Sequence, residues 1–294
     1  MTLSTDVLAP DLVERVLLKL GIEDRPEPTV AGLQRVYSAW CRRVPFDNVL
    51  KMIQLSANPA GPLPGDDASE FFESWLEHGT GGTCWAGNGA LYSLVASLGF
   101  PASRGIGTMM SSPNTPPNHG TVVVELDGSR YIVDASILHG EPLRLDENGV
   151  TETSHPAWGV QCQKEGDRWR IRWRPFTAPS GIACRVERFE ATVTEFSEMH
   201  ESTRPWSPFN YALSARLIWG DTVVGAGLGR RVTIDAAGGV AEGSFSDPDE
   251  RARLLIEQIG MSEEIVSRLP SDRETPPPPW APPTSEPASS REGA

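Results

Sequence analysis

Of the chain's four cysteines, Cys41, Cys84, Cys162 and Cys184, only Cys84 stands where a helix opens. Leu91, Leu94, Val95 and Leu98 follow it at helical spacing, and Gly99 ends the run. A helix N-terminus favours a thiolate, because unpaired N–H groups and the positive end of the peptide dipole face the sulfur. Gly81-Gly82 just upstream lets the backbone approach a substrate closely, and Thr83 is placed to cap the helix. A buried thiol that merely follows a loop is the alternative reading of this segment on its own.

The segment Gly120 to Ser136 supplies what a thiol nucleophile needs. It reads as a hairpin about Asp127-Gly128, a dipeptide suited to a two-residue type I′ turn. With those as the turn residues, Leu126 faces Ser129, Val124 faces Tyr131 and Thr121 faces Asp134. Side chains alternate with period two, so His119 projects on the same face as Thr121, diagonal to Asp134. An aspartate inside the apolar run Tyr131-Ile-Val-Asp-Ala135 needs a partner. A satisfied core His–Asp pair without catalytic duty is one outcome; the other is a set of nucleophile, base and orienter in Cys84, His119 and Asp134, which activates a thiol for transient acylation. His78 ends a helix, His155 sits in a polar loop, and His139 and His200 lie beyond the registered ladder.

Around these residues the expected elements are helices over Asp11–Leu20, Val30–Arg43 and Ala68–His78, with a Pro/Gly-rich loop at Asn58–Gly65. A second hairpin pairs Trp158–Lys164 with Trp169–Arg174. Arg168, Arg170, Arg172 and Arg174 alternate there with apolar residues, as on a half-buried strand with a solvated face; phosphate binding is the other reading. A short helix beyond Arg188, a loop at Ser202–Phe209, strands within Ala212–Ile234 and an amphipathic helix over Glu250–Leu269 follow. From Ser271 on, proline, serine and glutamate dominate, which predicts a flexible end, with a ligand for a peptide-binding module as the alternative.

The composition bounds the function. Lys and Arg number 26 against 39 Asp and Glu, a net charge of −13 over 294 residues, which argues against a nucleic-acid partner. No stretch approaches the roughly 18 apolar residues of a membrane span, and Met1 to Pro10 does not read as a secretory signal, so a cytoplasmic protein without a membrane partner is expected. No Cys-x-x-Cys pair, metal-ligand spacing or phosphate-binding Gly-Lys-Ser/Thr loop occurs, and Gly225 to Gly229 lies in a strand context unsuited to dinucleotide binding.

Five segments resemble one family. Thr80-Gly-Gly-Thr-Cys-Trp-Ala-Gly-Asn-Gly89 resembles the Arg-Gly-Gly-x-Cys-x-Glu-x-Asn-Gly segment of arylamine N-acetyltransferases, and Val44-Pro-Phe-Asp-Asn48 their Ile-Pro-Phe-Glu-Asn. Leu98-Gly99-Phe100, His119 with Val133-Asp134, and Ser202-Thr-Arg-Pro-Trp-Ser-Pro-Phe209 continue the likeness in order. The resemblance implies an α+β fold: a helical first domain (1–82), a β-barrel carrying the histidine and aspartate (83–195), an α/β third domain (196–270) and then the Pro-rich tail (271–294). It also implies that Cys84 is acylated by a thioester, with His119 as base and Asp134 orienting it. No permanently bound cofactor is implied. The donor is an acyl-coenzyme A or acyl carrier protein thioester, and the partner a small-molecule acceptor.

The sequence departs from the family at Thr80 in place of Arg, Ala86 in place of Glu, and Ala135-Ser-Ile-Leu138 in place of Val-Gly-Phe-Gly. The expectation is a less polar, roomier entrance to the thiol that takes bulkier acyl groups, as in relatives that form amides on polyketide chains. A hydrolytic or transglutaminase-like cysteine enzyme and a non-catalytic homologue that only binds are the competing readings.

Overall fold

The computed structural model describes residues 7–279 apart from 113, 179 and 278. Helices α1 (Pro10–Lys19) and α2 (Val30–Arg43), the two-residue strand β1 (Phe46–Asp47), and helices α3 (Val49–Ala57), α4 (Ala68–His78) and α5 (Cys84–Ser97) make up the N-terminal part. The apolar stripe of α1 is buried as its spacing predicts, through Leu12, Val13, Val16 and Leu17. Thr29 caps α2 by accepting from the Gly32 N–H, and Asp67 caps α4 through the Ser69 and Glu70 N–H groups. Helix α3 and strand β1 were not expected from the sequence.

An eight-stranded antiparallel sheet follows: β2 (Ala102–Met109), β3 (His119–Leu126), β4 (Ser129–Val133), β5 (Leu143–Leu145), β6 (Val150–Thr153), β7 (Val160–Glu165), β8 (Arg168–Trp173) and β9 (Ile182–Ala191), in the order β5-β4-β3-β2-β9-β8-β7-β6. Its two end strands approach each other, so the sheet curls into a nearly closed barrel around Val123, Ile132, Ile137, Val160, Trp169, Ile171 and Val186. The register of β3 on β4 is the expected one, with Leu126 opposite Ser129 and Val124 opposite Tyr131. Asp127 and Gly128 take φ of 51° and 70°, the left-handed pair a type I′ turn requires.

Helix α6 (Val193–Ser202) begins in a reciprocal capping box between Thr192 and Glu195. A second sheet contains β10 (Ala215–Trp219), β11 (Thr222–Gly227), β12 (Arg230–Ile234) and β13 (Val240–Ser244), and β1 joins it on the free edge of β10. The single helix expected over Glu250–Leu269 is instead α7 (Pro248–Arg253), a π-helical turn over Leu254–Ile259 and α8 (Glu263–Ser267). Gly260, at φ 87°, breaks the run because only the left-handed conformation carries the chain around that corner. The flexible end expected from Ser271 is corrected at its start: Asp272 accepts from the Leu213 N–H and pairs with Arg251, and the Arg273 N–H donates to the Tyr211 carbonyl. Of the remaining tail, 278 and 280–294 lie outside the described residues. No helix among the described residues is long and apolar enough to cross a membrane.

Helix α5 is buried through Trp85, Ala86, Leu91, Leu94 and Val95, leaving it no solvent face on its first three turns. A single polar side chain locks its orientation. Asn88 Nδ2 donates to the Cys84 carbonyl at 3.0 Å and to the Gly120 carbonyl at 2.6 Å, and its Oδ1 accepts from the Ala135 N–H at 2.9 Å. One amide thus joins the helix's first turn to the start of β3 and the end of β4. Asn88→Ala leaves buried backbone groups unpaired and should cost about 3 kcal/mol of unfolding free energy. The shift of the urea midpoint measures it.

Candidate active site

Cys84 is the first residue of α5. Thr83 holds the N-cap position, but its hydroxyl accepts no bond from the helix, so the cap residue leaves that end of the dipole to the thiol and its surroundings. The thiol lies against the Asn118 carbonyl at 3.7 Å and lines a cavity of about 300 Å³. His119 and Asp134 are buried, and His119 Nε2 lies 2.7 Å from Asp134 Oδ2. The imidazole also interacts with the Cys84 thiol. The structure therefore brings together the three residues expected from the sequence.

Asp134 sits where β4 gives way to a tight turn. Its Oδ1 accepts from the Ser136 and Ile137 N–H groups at 2.9 and 3.0 Å, while the Tyr37 hydroxyl of α2 donates to its backbone carbonyl at 2.9 Å. Burial alone opposes both charges. For Asp134, the imidazole and the two backbone donors outweigh it and hold the carboxyl below its usual range. For His119, burial pulls downward, but the charge and hydrogen bond of Asp134, with the thiol beside it, raise the imidazole well above its ordinary value.

The Val44–Asn48 segment positions the walls. Asp47 accepts from the Gly81 N–H at 2.6 Å and the Val49 N–H at 2.9 Å, and burial pushes its carboxyl up to about 6. A Cβ on Gly81 would stand 1.8 Å from the Pro45 carbonyl oxygen, so the close approach of these loops requires glycine there. Asn48 donates to the Phe209 and Ala212 carbonyls and accepts from the Ser214 N–H. Phe46, Trp173, Phe176, Trp206 and Phe209 then form apolar walls, and Thr275 and Pro276 of the docked tail complete the lining.

Sequence reasoning missed Lys51 of α3, which is buried and lines the same cavity. Its only signal was a lysine inside an otherwise apolar helical run. The expectation that Thr80 and Ala86 widen the thiol entrance is corrected. Neither lines the cavity: Thr80 is fully buried with its hydroxyl unpartnered, and Ala86 packs in the core where Gly65 and Gly82 approach it. Of the replaced turn residues, Ser136 does reach the cavity. Two of the three arginines of β8 are engaged structurally, Arg168 with Glu187 and Arg170 with Glu165. Among the described residues no cluster of His, Cys, Asp or Glu could hold a metal ion.

Residues 29–175 match the family model described as N-acetyltransferase. The chain belongs to this family. A curated arylamine N-acetyltransferase of Mycolicibacterium smegmatis is 22% identical over 262 residues, covering 83% of this chain and 90% of the relative. Among solved structures, the Salmonella typhimurium arylamine N-acetyltransferase superposes with a TM-score of 0.72 at 18% identity, covering 86% of this chain and 92% of that one. The Mycobacterium marinum enzyme in complex with CoA does so with a TM-score of 0.72 at 18% identity, covering 87% and 96%. At that identity the structural match speaks for the α+β fold, which is that of the arylamine N-acetyltransferases. The chain is an arylamine N-acetyltransferase-like enzyme.

Two outcomes are expected of this site. Burial pushes Cys41 and Cys162 up to about 12 and Cys184 well above the ordinary thiol range, and none of them lines the cavity. Limiting iodoacetamide followed by peptide mapping should therefore label Cys84 first. The buried pair also has a pH signature. His119, raised in the fold, contributes stability that is complete below its unfolded value of about 6.5 and is lost as pH rises through the raised one. Asp134, depressed, contributes above about 3.9 and loses its contribution in acid. The destabilisation by Asp134→Asn should accordingly be larger at about pH 6 than at about pH 10; urea midpoints of both proteins at the two pH values read this difference.

Proposed function

We propose that this chain transfers an acyl group from a thioester to a small-molecule amine through an acyl-Cys84 intermediate. The observation that carries the reading is the thiol at a helix N-terminus beside an imidazole bonded at 2.7 Å to a buried carboxylate, with the thiol and the imidazole both lining one apolar cavity. In the first half-reaction the Cys84 sulfur, its proton held by His119, attacks the thioester carbonyl. The carbon–sulfur bond to the donor breaks, and the departing thiolate takes the proton from His119. In the second, the amine attacks the acyl-enzyme, its nitrogen passes a proton to His119, and Cys84 leaves as the thiolate. Asp134 fixes the ring orientation and offsets the imidazolium charge throughout.

Coenzyme A is the favoured donor handle, since a fold neighbour was solved with CoA. Delivery on an acyl carrier protein, with amide formation in specialised metabolism, is the narrower version of the same chemistry. The replacements at Thr80 and Ala86 lie away from the cavity and leave the three groups in place, which favours catalysis over a binding-only homologue. A hydrolytic or transglutaminase-like course differs in the fate of the acyl-enzyme.

The test is intact-mass spectrometry after incubation with acyl thioesters on coenzyme A, small-thiol and carrier-protein handles. An acyl adduct that is absent in Cys84→Ser and is discharged faster by an amine than by water supports the reading. Discharge by water alone returns the hydrolytic one, and no adduct from any handle removes acyl transfer. His119→Ala and Asp134→Asn should each slow acylation by roughly 10³-fold, without additivity in the double variant, because the groups act as a unit.

A further inference from the structure

The chain has three lysines, Lys19, Lys51 and Lys164. Lys51 is only 4% exposed, and its side chain reaches the cavity that Cys84 and His119 line. Nζ donates to Thr203 Oγ1 at 2.8 Å. The Thr203 hydroxyl gives its own proton to the His200 carbonyl at 2.7 Å, so toward Lys51 it acts as a neutral acceptor only. Among the described residues Thr203 is the one hydrogen-bond acceptor of Lys51, which leaves two of the three ammonium N–H bonds unused.

Among the described residues no carboxylate lies within ion-pair distance of Lys51. Of the groups that act on it from further away, Cys84 is engaged with His119, and Glu201 is held by Arg204 and the Leu63 N–H. Asp47, at the start of the same segment, is committed to the Gly81 and Val49 N–H groups. Burial pushes the ammonium down only to about 8, so it remains charged at neutral pH. A buried cation with unused donors is costly by several kcal/mol unless an anion meets it.

We propose that Lys51 anchors a carboxylate carried by the substrate, so that the cavity selects molecules presenting an anion at Lys51 and their reacting group at Cys84. Lys51 is the only Lys or Arg among the described lining residues, which matches a singly charged carboxylate better than a phosphate. The carboxylate belongs either to the acceptor amine or to the acyl group. That the selected molecule reacts rests on the acyl-transfer reading; that the cavity binds an aryl carboxylate does not.

Calorimetric titration of the full-length protein with benzoate and with benzamide tests the binding without turnover. Benzoate should bind at least about tenfold tighter, and the difference should vanish in Lys51→Met and persist in Lys51→Arg. Rate measurements then locate the source: 4-aminobenzoate against 4-aminobenzamide as acceptors with one donor, and succinyl against butanoyl thioesters with one acceptor. A kcat/KM ratio of about ten or more in favour of the acid on one arm, falling to about one in Lys51→Met, assigns the carboxylate to that arm. Equal binding of benzoate and benzamide by the native protein overturns the proposal even if Lys51→Met fails to fold. So does a preference that survives Lys51→Met, or benzoate binding with no kinetic preference on either arm. Loss of turnover with every substrate while benzoate binding remains overturns acyl transfer instead.

Discussion

A carboxylate cut off from water is the constraint around which the site is built. Asp134 is fully buried, so its charge must be met inside the protein. Two backbone N–H groups of the following turn take one oxygen and His119 takes the other. That requirement dictates much else. The turn must close immediately after β4, Tyr37 must reach across from α2 to hold its carbonyl, and Asn88 must fasten the next N–H to α5. Because Asn88 also holds the Cys84 carbonyl, the thiol is set in place by the same contacts that solvate the carboxylate.

The parts of this arrangement with local signals were legible in the sequence. Asp127-Gly128 fixes a turn type, the turn type fixes a register, and the register places His119 beside Asp134, so one dipeptide carried most of the geometry. Helix α5 was legible because its apolar residues run from Cys84 to a glycine stop. What escaped depends on distant partners. Strand β1 is two residues long and exists only because β10 pairs with it. Helix α3 buries residues against chain segments more than a hundred positions away, and the role of Lys51 follows from Thr203, 152 positions later. Thr83 was legible as a cap position but not as an unused one, since cap side chains compete with geometry that no spacing reveals.

The departures from the family pattern act on packing more than on chemistry. Leu138 stands where the family has glycine and still takes φ of 54°, a left-handed conformation that costs a side-chain-bearing residue about 1–2 kcal/mol. It is fully buried in the main core, and its N–H donates to the Asp134 carbonyl. Hydrophobic burial of a leucine, about 1.5–3 kcal/mol, offsets that strain. The turn that serves Asp134 therefore keeps a glycine-like backbone without the glycine, and gains apolar contact beneath it.

The folded unit does not stop with its last helix. Asp272 and Arg273 are fastened to the backbone of residues 211–213, and Thr275 and Pro276 stand in the wall of the cavity that Cys84 lines. The described start of the tail is thus moored beside the cavity, and Thr275 and Pro276 are part of its wall. Removing Thr275 and Pro276 would take away part of that wall, so the shape of the cavity depends on a segment that contributes to neither sheet.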